Sequence, residues 1–462
     1  MTDRSVTVVG GGLAGIAAAL RCAQEGAAVT LLEARARLGG AVYSFERDGL
    51  RMDNGQHVFL RCCVAYRGLL RDLGAEDLVT LQPRLRITVL APGGRRAVLG
   101  RGRLPAPVHL APALLRYQLL GVRERLAVAR AMQALRAVDR DDPAADARSF
   151  ADWLDEHGQS AGAREAVWDL IARPTLNLAS ANASLAQAAQ VFQLGLLGDA
   201  AAGDVGHATA PLSDIHDVAA RRALAAAGVD VRLRHGATAV VPTDGGFLVE
   251  HRGGTGAIET AFVILAVPPT RAAKLIPAAT PASVPGPARP GTEINASALG
   301  SSPIVNLHVV YDRQVLDVPF AAGVHTPVQW VFDRTAGSGL RNGQYLAVSL
   351  SAADVELGES ADGLRERYLP ALAELLPAAR HATVEVFRVT REHAATFRAA
   401  PGSRALRPGP RTLIPGLFLA GTWTDTGWPA TMESAVLSGY AAARQILRAT
   451  ETRQPALSAP GA

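Results

Sequence analysis

The sequence predicts an α/β protein in which an α+β substrate domain is inserted into a Rossmann-like nucleotide-binding domain. Three observations carry this expectation. An apolar strand at residues 6–9 runs into Gly10-Gly11-Gly12-Leu13-Ala14-Gly15, and an acid, Glu33, ends the next apolar run at 28–32. Two later apolar runs, 261–267 and 417–421, read as further buried strands of the same sheet, the second of them central. Between them, 304–310, 328–332 and 345–350 form a different strand pattern that belongs to a separate sheet.

Each glycine of the first turn meets a separate demand. Gly10 permits the tight exit from the strand, Gly12 lets the backbone reach a pyrophosphate, and Gly15 lets helix and strand pack closely. The unpaired amides at the helix start, at Leu13 and Ala14, then hold the phosphate. Glu33 suits a ribose hydroxyl and disfavours a 2′-phosphate. Directly after it, Ala34-Arg35-Ala36-Arg37-Leu38-Gly39-Gly40 offers a cation and a second stretch of glycine backbone. These can close over a longer cofactor, which favours FAD over NAD, Arg being suited to phosphate by its two-pronged donation. A solvated Arg-rich loop is the alternative for this segment alone. The glycines at 253, 254 and 256 lack a strand-to-helix context, so no separate NAD(P)H domain is expected and the flavin depends on an external electron donor.

At 462 residues the chain should form two domains. Its formal charge of +5 comes almost wholly from arginines spread along the chain, with a single lysine, Lys274, so no nucleic-acid partner is expected. An anionic membrane surface stays open as a partner. Cys22, Cys62 and Cys63 have no metal-ligand spacing and fit a reducing, cytoplasmic compartment; no metal is expected. No apolar run reaches the roughly 18 residues of a spanning helix, and the N-terminus enters its first strand at once. The expectation is a protein neither secreted nor integral, with peripheral contact at the inner face of the plasma membrane as an open possibility.

The predicted nucleotide domain comprises residues 1–100, 205–290 and 410–450; the substrate domain comprises 101–204 and 291–409; 451–462 is a flexible tail. A short second unit occupies 48–73, and 85–90 alternates as a strand before Pro105, Pro107 and Pro112 break the pattern. A long helix is expected over 114–138, with Leu115, Leu119, Val122 and Leu126 on one face and Arg123, Arg130 and Arg136 elsewhere. That face either packs on a core or meets a membrane. Strands are expected at 229–233, 237–241 and 247–250, with Val240 of the second taken as a cofactor contact, and the terminal strand runs into a helix ending near 448.

The loop between them, Gly421-Thr422-Trp423-Thr424-Asp425-Thr426-Gly427-Trp428-Pro429-Ala430-Thr431-Met432-Glu433, brings a resemblance. With the fingerprint, it resembles the FAD-dependent amine-oxidase and carotenoid-desaturase superfamily. Within that superfamily it shares Asp53-Asn54-Gly55-Gln56-His57-Val58-Phe59, Ser302-Pro303-Ile304-Val305-Asn306 and 327–332 with the hydroxysqualene dehydroxylases of squalene and hopanoid synthesis. The likeness spans nearly the whole chain. It implies that Asn54, Gly55, Gln56, Gly421, Thr431 and Met432 line the flavin, with the helix at Met432 turning its positive end to the N1/O2 edge. Thr422 departs from the acid often found after this Ala-Gly pair.

The implied chemistry is loss of an allylic hydroxyl as water from a C30 isoprenoid, with hydride from reduced flavin N5. His57, Asp425 and Asp53 are the candidate acids, His57 first because an unperturbed imidazole titrates near neutrality. Hydrogen bonding to a loop or to the flavin is the other reading of His57. Trp423, Trp428 and Trp330 either face a cation with π density or simply pack. A carotenoid-type desaturase or amine-oxidase-like oxidase would run hydride the other way. The prenyl-binding Rab escort and dissociation-inhibitor proteins share the fold without flavin chemistry, but Gly39-Gly40 and the Thr-Met-Glu loop argue against them.

Overall fold

Gly10 turns the chain out of its first strand where no side chain fits. Its φ is +110°, and a Cβ there would lie 2.3 Å from the carbonyl oxygen of Ala266. The computed structural model, which describes residues 4–254, 256–276 and 298–453, puts strand Ser5–Val9 in the middle of a five-stranded parallel sheet. The order is Asp230–Leu233, Ala28–Glu33, Ser5–Val9, Phe262–Leu265 and Leu417–Leu419. Helix Leu13–Gln24 packs on one face and is crossed by helix Met432–Arg453, the two lying so close that a Cβ on Gly439 would come within 2.2 Å of the Ala14 carbonyl oxygen. Val6, Val8, Leu31, Ile264 and Phe418 face these helices. The alternate residues Val9, Leu32, Val263 and Leu265 share a core with Val240, Phe247 and Val249 of an antiparallel three-stranded sheet, Ala237–Thr243, Gly246–His251 and Ala257–Thr260.

Leu417–Leu419 is an edge strand, not the central one expected. It pairs with Phe262–Leu265 on one side and meets only an isolated bridge to Arg411 on the other. All three residues are buried by the layers on either face, so its apolarity reports burial rather than position.

The second sheet has seven strands in the order Val384–Thr396, Ser302–Tyr311, Gln344–Ser351, Trp330–Asp333, Phe320–Gly323, Arg86–Ala91 and Arg95–Gly100. The last two strands lie within the stretch assigned by sequence to the nucleotide domain. Their pairing places residues 86–100 with the inserted domain instead, because Arg86–Ala91 runs parallel to Phe320–Gly323. Helix Ala361–Leu375 covers one face, where Tyr368 and Leu372 meet Val305, Leu307 and Val309.

The single helix expected at 114–138 is two, Ala111–Leu115 and Val122–Leu135. The second starts afresh at Gly121, whose amide donates to the Glu124 carboxylate at 2.8 Å. The last helix continues to Arg453, past the expected end near 448. The rest of the expected tail and the domain junction at 290–291 lie outside the described residues.

Candidate active site

Helix Leu13–Gln24 begins at Gly12 in extended conformation with no side-chain cap, leaving the amides of Leu13 and Ala14 open at its positive end. A Cβ on Gly12 would meet only the Gly40 Cα, 3.7 Å away. The protein itself leaves that space free, as a bound pyrophosphate requires. Gly39 and Gly40 hold positive φ of +92° and +60°, and Gly39 donates its amide to the Gly11 carbonyl at 2.9 Å. Glu33 is buried and accepts from the amides of Gly11 at 2.7 Å and Arg35 at 2.8 Å. Each carboxylate oxygen keeps a further lone pair for a ribose hydroxyl.

Arg37 takes a different part from the phosphate contact expected. Its guanidinium lies 3.6 Å over the Tyr43 ring and donates to the carbonyls of Leu38 at 3.2 Å and Gly40 at 3.1 Å, so it braces the glycine turn. Ala34 and Arg35 are exposed beside it. Val240 sits on an outer strand with its side chain wholly in the core, so only its main chain can serve a cofactor.

Hairpin Ser44–Arg47 and Leu50–Asp53 delivers the next residues. Asp53 is not the proton donor proposed from sequence. Its buried carboxylate accepts from Ser44 Oγ at 2.7 Å, the Leu212 amide at 3.0 Å and Arg334 Nη2 at 2.7 Å, a set of contacts that commits it to the frame. Asn54 ties the glycine turn to this hairpin, donating to Ala41 O at 2.9 Å and Glu392 Oε1 at 3.0 Å.

His57 is half-buried on the wall of a cavity it shares with Gln56, His207, Phe332 and Arg334. Desolvation takes its pKa down to about 4, with Asp53 pulling the other way. It is therefore a neutral imidazole at neutral pH, contrary to the expectation of titration there. Among the described residues its ring makes no hydrogen bond, leaving its N–H available to the cavity. Asp425 is exposed, accepts from the Gly427 amide at 3.0 Å and lies 3.9 Å from Arg404. No hydrogen bond or ion pair among the described residues joins it to His57.

The terminal loop is fixed by groups that sequence reasoning missed. Arg407, buried beneath Phe397, donates through Nη2 to the carbonyls of Thr422 at 3.1 Å and Thr424 at 2.6 Å, and burial brings its pKa down to about 10. Gly421, with φ +134°, donates its amide to Ser438 Oγ at 2.8 Å. Thr431 Oγ1 accepts from the Ser434 amide at 3.2 Å and so caps the helix that Met432 begins. Glu433 crosses to helix Val64–Asp72 and accepts the amides of Ala65 at 3.0 Å and Tyr66 at 2.7 Å. Trp423 packs and donates to Val267 O at 3.0 Å; Trp330 donates to Leu170 O at 3.3 Å and stacks on Phe332; Trp428 packs half-buried on the helix layer.

Glu433 was visible within a quoted motif, although without a role. Arg334 and Arg407 had no signal among so many arginines, because their partners lie far away in sequence. Two buried side-chain atoms near Gly55 have no hydrogen-bond partner among the described residues: Gln56 Nε2, a donor, and Asn306 Oδ1, an acceptor. With the free space at Gly12, they fit a long cofactor whose polar ring reaches this turn.

The family model for flavin-containing amine oxidoreductases matches residues 13–447. A hydroxysqualene dehydroxylase of Rhodopseudomonas palustris is 29% identical over 97% of this chain and 99% of its own, and one of Sinorhizobium fredii is 29% identical over 97% and 100%. A probable zeta-carotene desaturase of Synechococcus elongatus is 25% identical over 96% and 98%. Among solved structures, a putrescine oxidase superposes with a TM-score of 0.71 at 22% identity, covering 96% of this chain and 99% of its own. Cyclohexylamine oxidase of Brevibacterium oxydans gives 0.70 at 19% identity, covering 97% and 100%. The glycine cradle, the capped terminal helix and a match running from the first helix of the cradle into the terminal one lead to one assignment: the chain belongs to the flavin-containing amine oxidoreductase family and is an FAD-dependent oxidoreductase.

Proposed function

We propose that the protein converts hydroxysqualene to squalene by reductive dehydroxylation, within squalene and hopanoid biosynthesis. The observation that carries this reading is the likeness to two hydroxysqualene dehydroxylases over 97% of the chain. The bound reduced flavin would supply hydride from N5 to the allylic carbon as the hydroxyl leaves as water, and an external electron donor would restore it. A proton from solvent would accompany the hydroxyl as it leaves as water, and His57, neutral and with no other hydrogen bond, would steady the departing oxygen with a hydrogen bond from its N–H. Phe332 on the cavity wall stacks with Trp330 at 6.1 Å, offering π density to positive charge on the substrate. Arg334 lines the same cavity, but Asp53 at 2.7 Å offsets its charge, so the wall need not repel a substrate cation.

We further propose that the lipid arrives from a membrane on which the protein rests at its cytoplasmic face. Among the described residues no helix is long and apolar enough to cross one. Leu104, Val108, Leu115, Val122 and Leu126 are all exposed within one short stretch, interspersed with the exposed Arg103, Arg116, Arg123 and Arg130. Large apolar side chains beside arginines suit an anionic bilayer surface.

Anaerobic mixing of the reduced holoenzyme with hydroxysqualene should reoxidise the flavin in a single turnover as squalene forms, with deuterium placed at N5 appearing in the product. His57→Ala should slow this step by about 10²-fold while leaving the flavin spectrum intact. An enzyme inert toward the alcohol whose oxidised flavin is bleached by a polyene would instead be a desaturase.

A further inference from the structure

Strand Ser302–Tyr311 carries two kinds of residue on its two faces. Val305, Leu307 and Val309 meet the apolar layer under helix Ala361–Leu375, whereas Asn306 and His308, both fully buried, point to the other side. A chain of hydrogen bonds runs there. The Thr390 hydroxyl donates to the Asn54 carbonyl at 3.3 Å, so its oxygen is left to accept from His308 Nε2 at 3.1 Å, and His308 Nδ1 accepts from the Tyr345 hydroxyl at 2.6 Å. Asn306 Nδ2 donates to the same Asn54 carbonyl at 3.0 Å.

That last bond fixes the amide's orientation. Turned over, Asn306 would set one acceptor oxygen against another. Its Oδ1 is therefore a buried acceptor, and among the described residues it has no donor. A Cβ on Gly55 would lie 3.9 Å from this oxygen and 3.5 Å from His57 Nε2, so the oxygen and the imidazole border the same small region at the turn. The missing donor must come from something that enters there.

We propose that Asn306 is a positioning residue for the cofactor, its Oδ1 accepting a hydrogen bond from the N5–H that the flavin ring carries only when reduced. Oxidised N5 is itself an acceptor and would oppose Oδ1, so the contact favours the reduced, hydride-bearing form. The ring's permanent donor, N3–H, is present in both oxidation states and would give no such bias. Helix Met432–Arg453 approaches from the nucleotide domain while Asn306 comes from the opposite sheet, as covering N1/O2 from one side and N5 from the other would require. The Tyr345, His308 and Thr390 chain then serves to hold the Asn54-Gly55 turn against this oxygen.

The inference needs FAD but not the proposed alcohol, so an enzyme inactive with hydroxysqualene would still report on it. Wild-type holoenzyme carrying ¹⁵N-labelled FAD, once reduced, should show an N5 resonance shifted as in hydrogen-bonding solvent. Asn306→Leu should lower the ratio of reduced to oxidised flavin at a given ambient potential by about tenfold, a fall of about 30 mV in midpoint for a two-electron couple. An N5 resonance matching flavin in apolar solvent would overturn the proposal, as would an unchanged midpoint in an Asn306→Leu protein that still binds FAD. If that variant does not retain flavin, the wild-type N5 resonance decides.

Discussion

Two histidines buried in the frame of the site stay uncharged well below neutral pH. His216 accepts from or donates to the Tyr66 hydroxyl at 2.9 Å, His308 lies in the chain behind Asn306, and burial lowers their pKa values to about 3 and about 4. In the unfolded chain both would titrate near 6.5. A depressed native pKa means that their contribution is complete above 6.5 and is lost as pH falls toward 4, because the unfolded chain takes up protons that the native one refuses. Urea midpoints of the holoenzyme should therefore fall steadily from pH 7 to pH 4.5. His308→Gln, which keeps a hydrogen-bonding side chain, should flatten that dependence by about one proton, or about 1.4 kcal/mol per pH unit. An unaltered slope would show that His308 is not a buried neutral group. Backbone demands were legible where they are local: Gly10, Gly12 and Gly15 each answer to one within a single turn. The roles of Asp53 and His57 were not, because they depend on Arg334, 281 positions from Asp53, and on burial that only the folded chain creates.

Among the elements, the short strands at 230–233, 237–243 and 246–251 could be read, while one long strand and one helix break could not. Strand Val384–Thr396 pairs along Ser302–Tyr311 yet places Glu385, Arg388 and His393 at the surface, which hides its period. The break between Ala111–Leu115 and Val122–Leu135 is similarly concealed, since the apolar spacing continues across residues that are not helical. Helix Val64–Asp72 lacks a side-chain cap of its own, and Glu433 supplies the acceptor from the other end of the chain. That cross-tie joins the first turn of the terminal helix to the first turn of helix Val64–Asp72. Glu433→Ala leaves two amides without that acceptor and should cost roughly 1–3 kcal/mol, measured as a lower thermal midpoint. Glu433→Gln, which retains an acceptor oxygen, should recover part of the loss. Equal midpoints in all three proteins would show that the tie contributes nothing.

For the whole molecule, buried strands widely spaced in sequence, such as Ser5–Val9 and Phe262–Leu265, were legible from their apolar runs, while the place of 86–100 turned on a pairing with Phe320–Gly323 that no local pattern encodes. The same limit applies to the apolar face expected within 114–138. Its periodicity suits a core or a membrane, and only the fold shows Leu115 at 66% and Val122 at 67% exposed. Five such side chains in water carry a cost that a lipid interface would remove. The flanking arginines add an attraction of about 1 kcal/mol each near anionic headgroups, screened over a Debye length of about 8 Å at physiological salt. The holoenzyme should therefore float with anionic vesicles at low salt, and bind less as salt rises without losing all affinity, because the apolar part persists. Replacing Leu115, Val122 and Leu126 with Ser should remove the salt-resistant part while leaving FAD binding unchanged, since none of the three lies in the cradle. Wild-type protein that stays in the aqueous fraction at low salt would show that this face does not meet a bilayer and that the lipid reaches the cavity by another route.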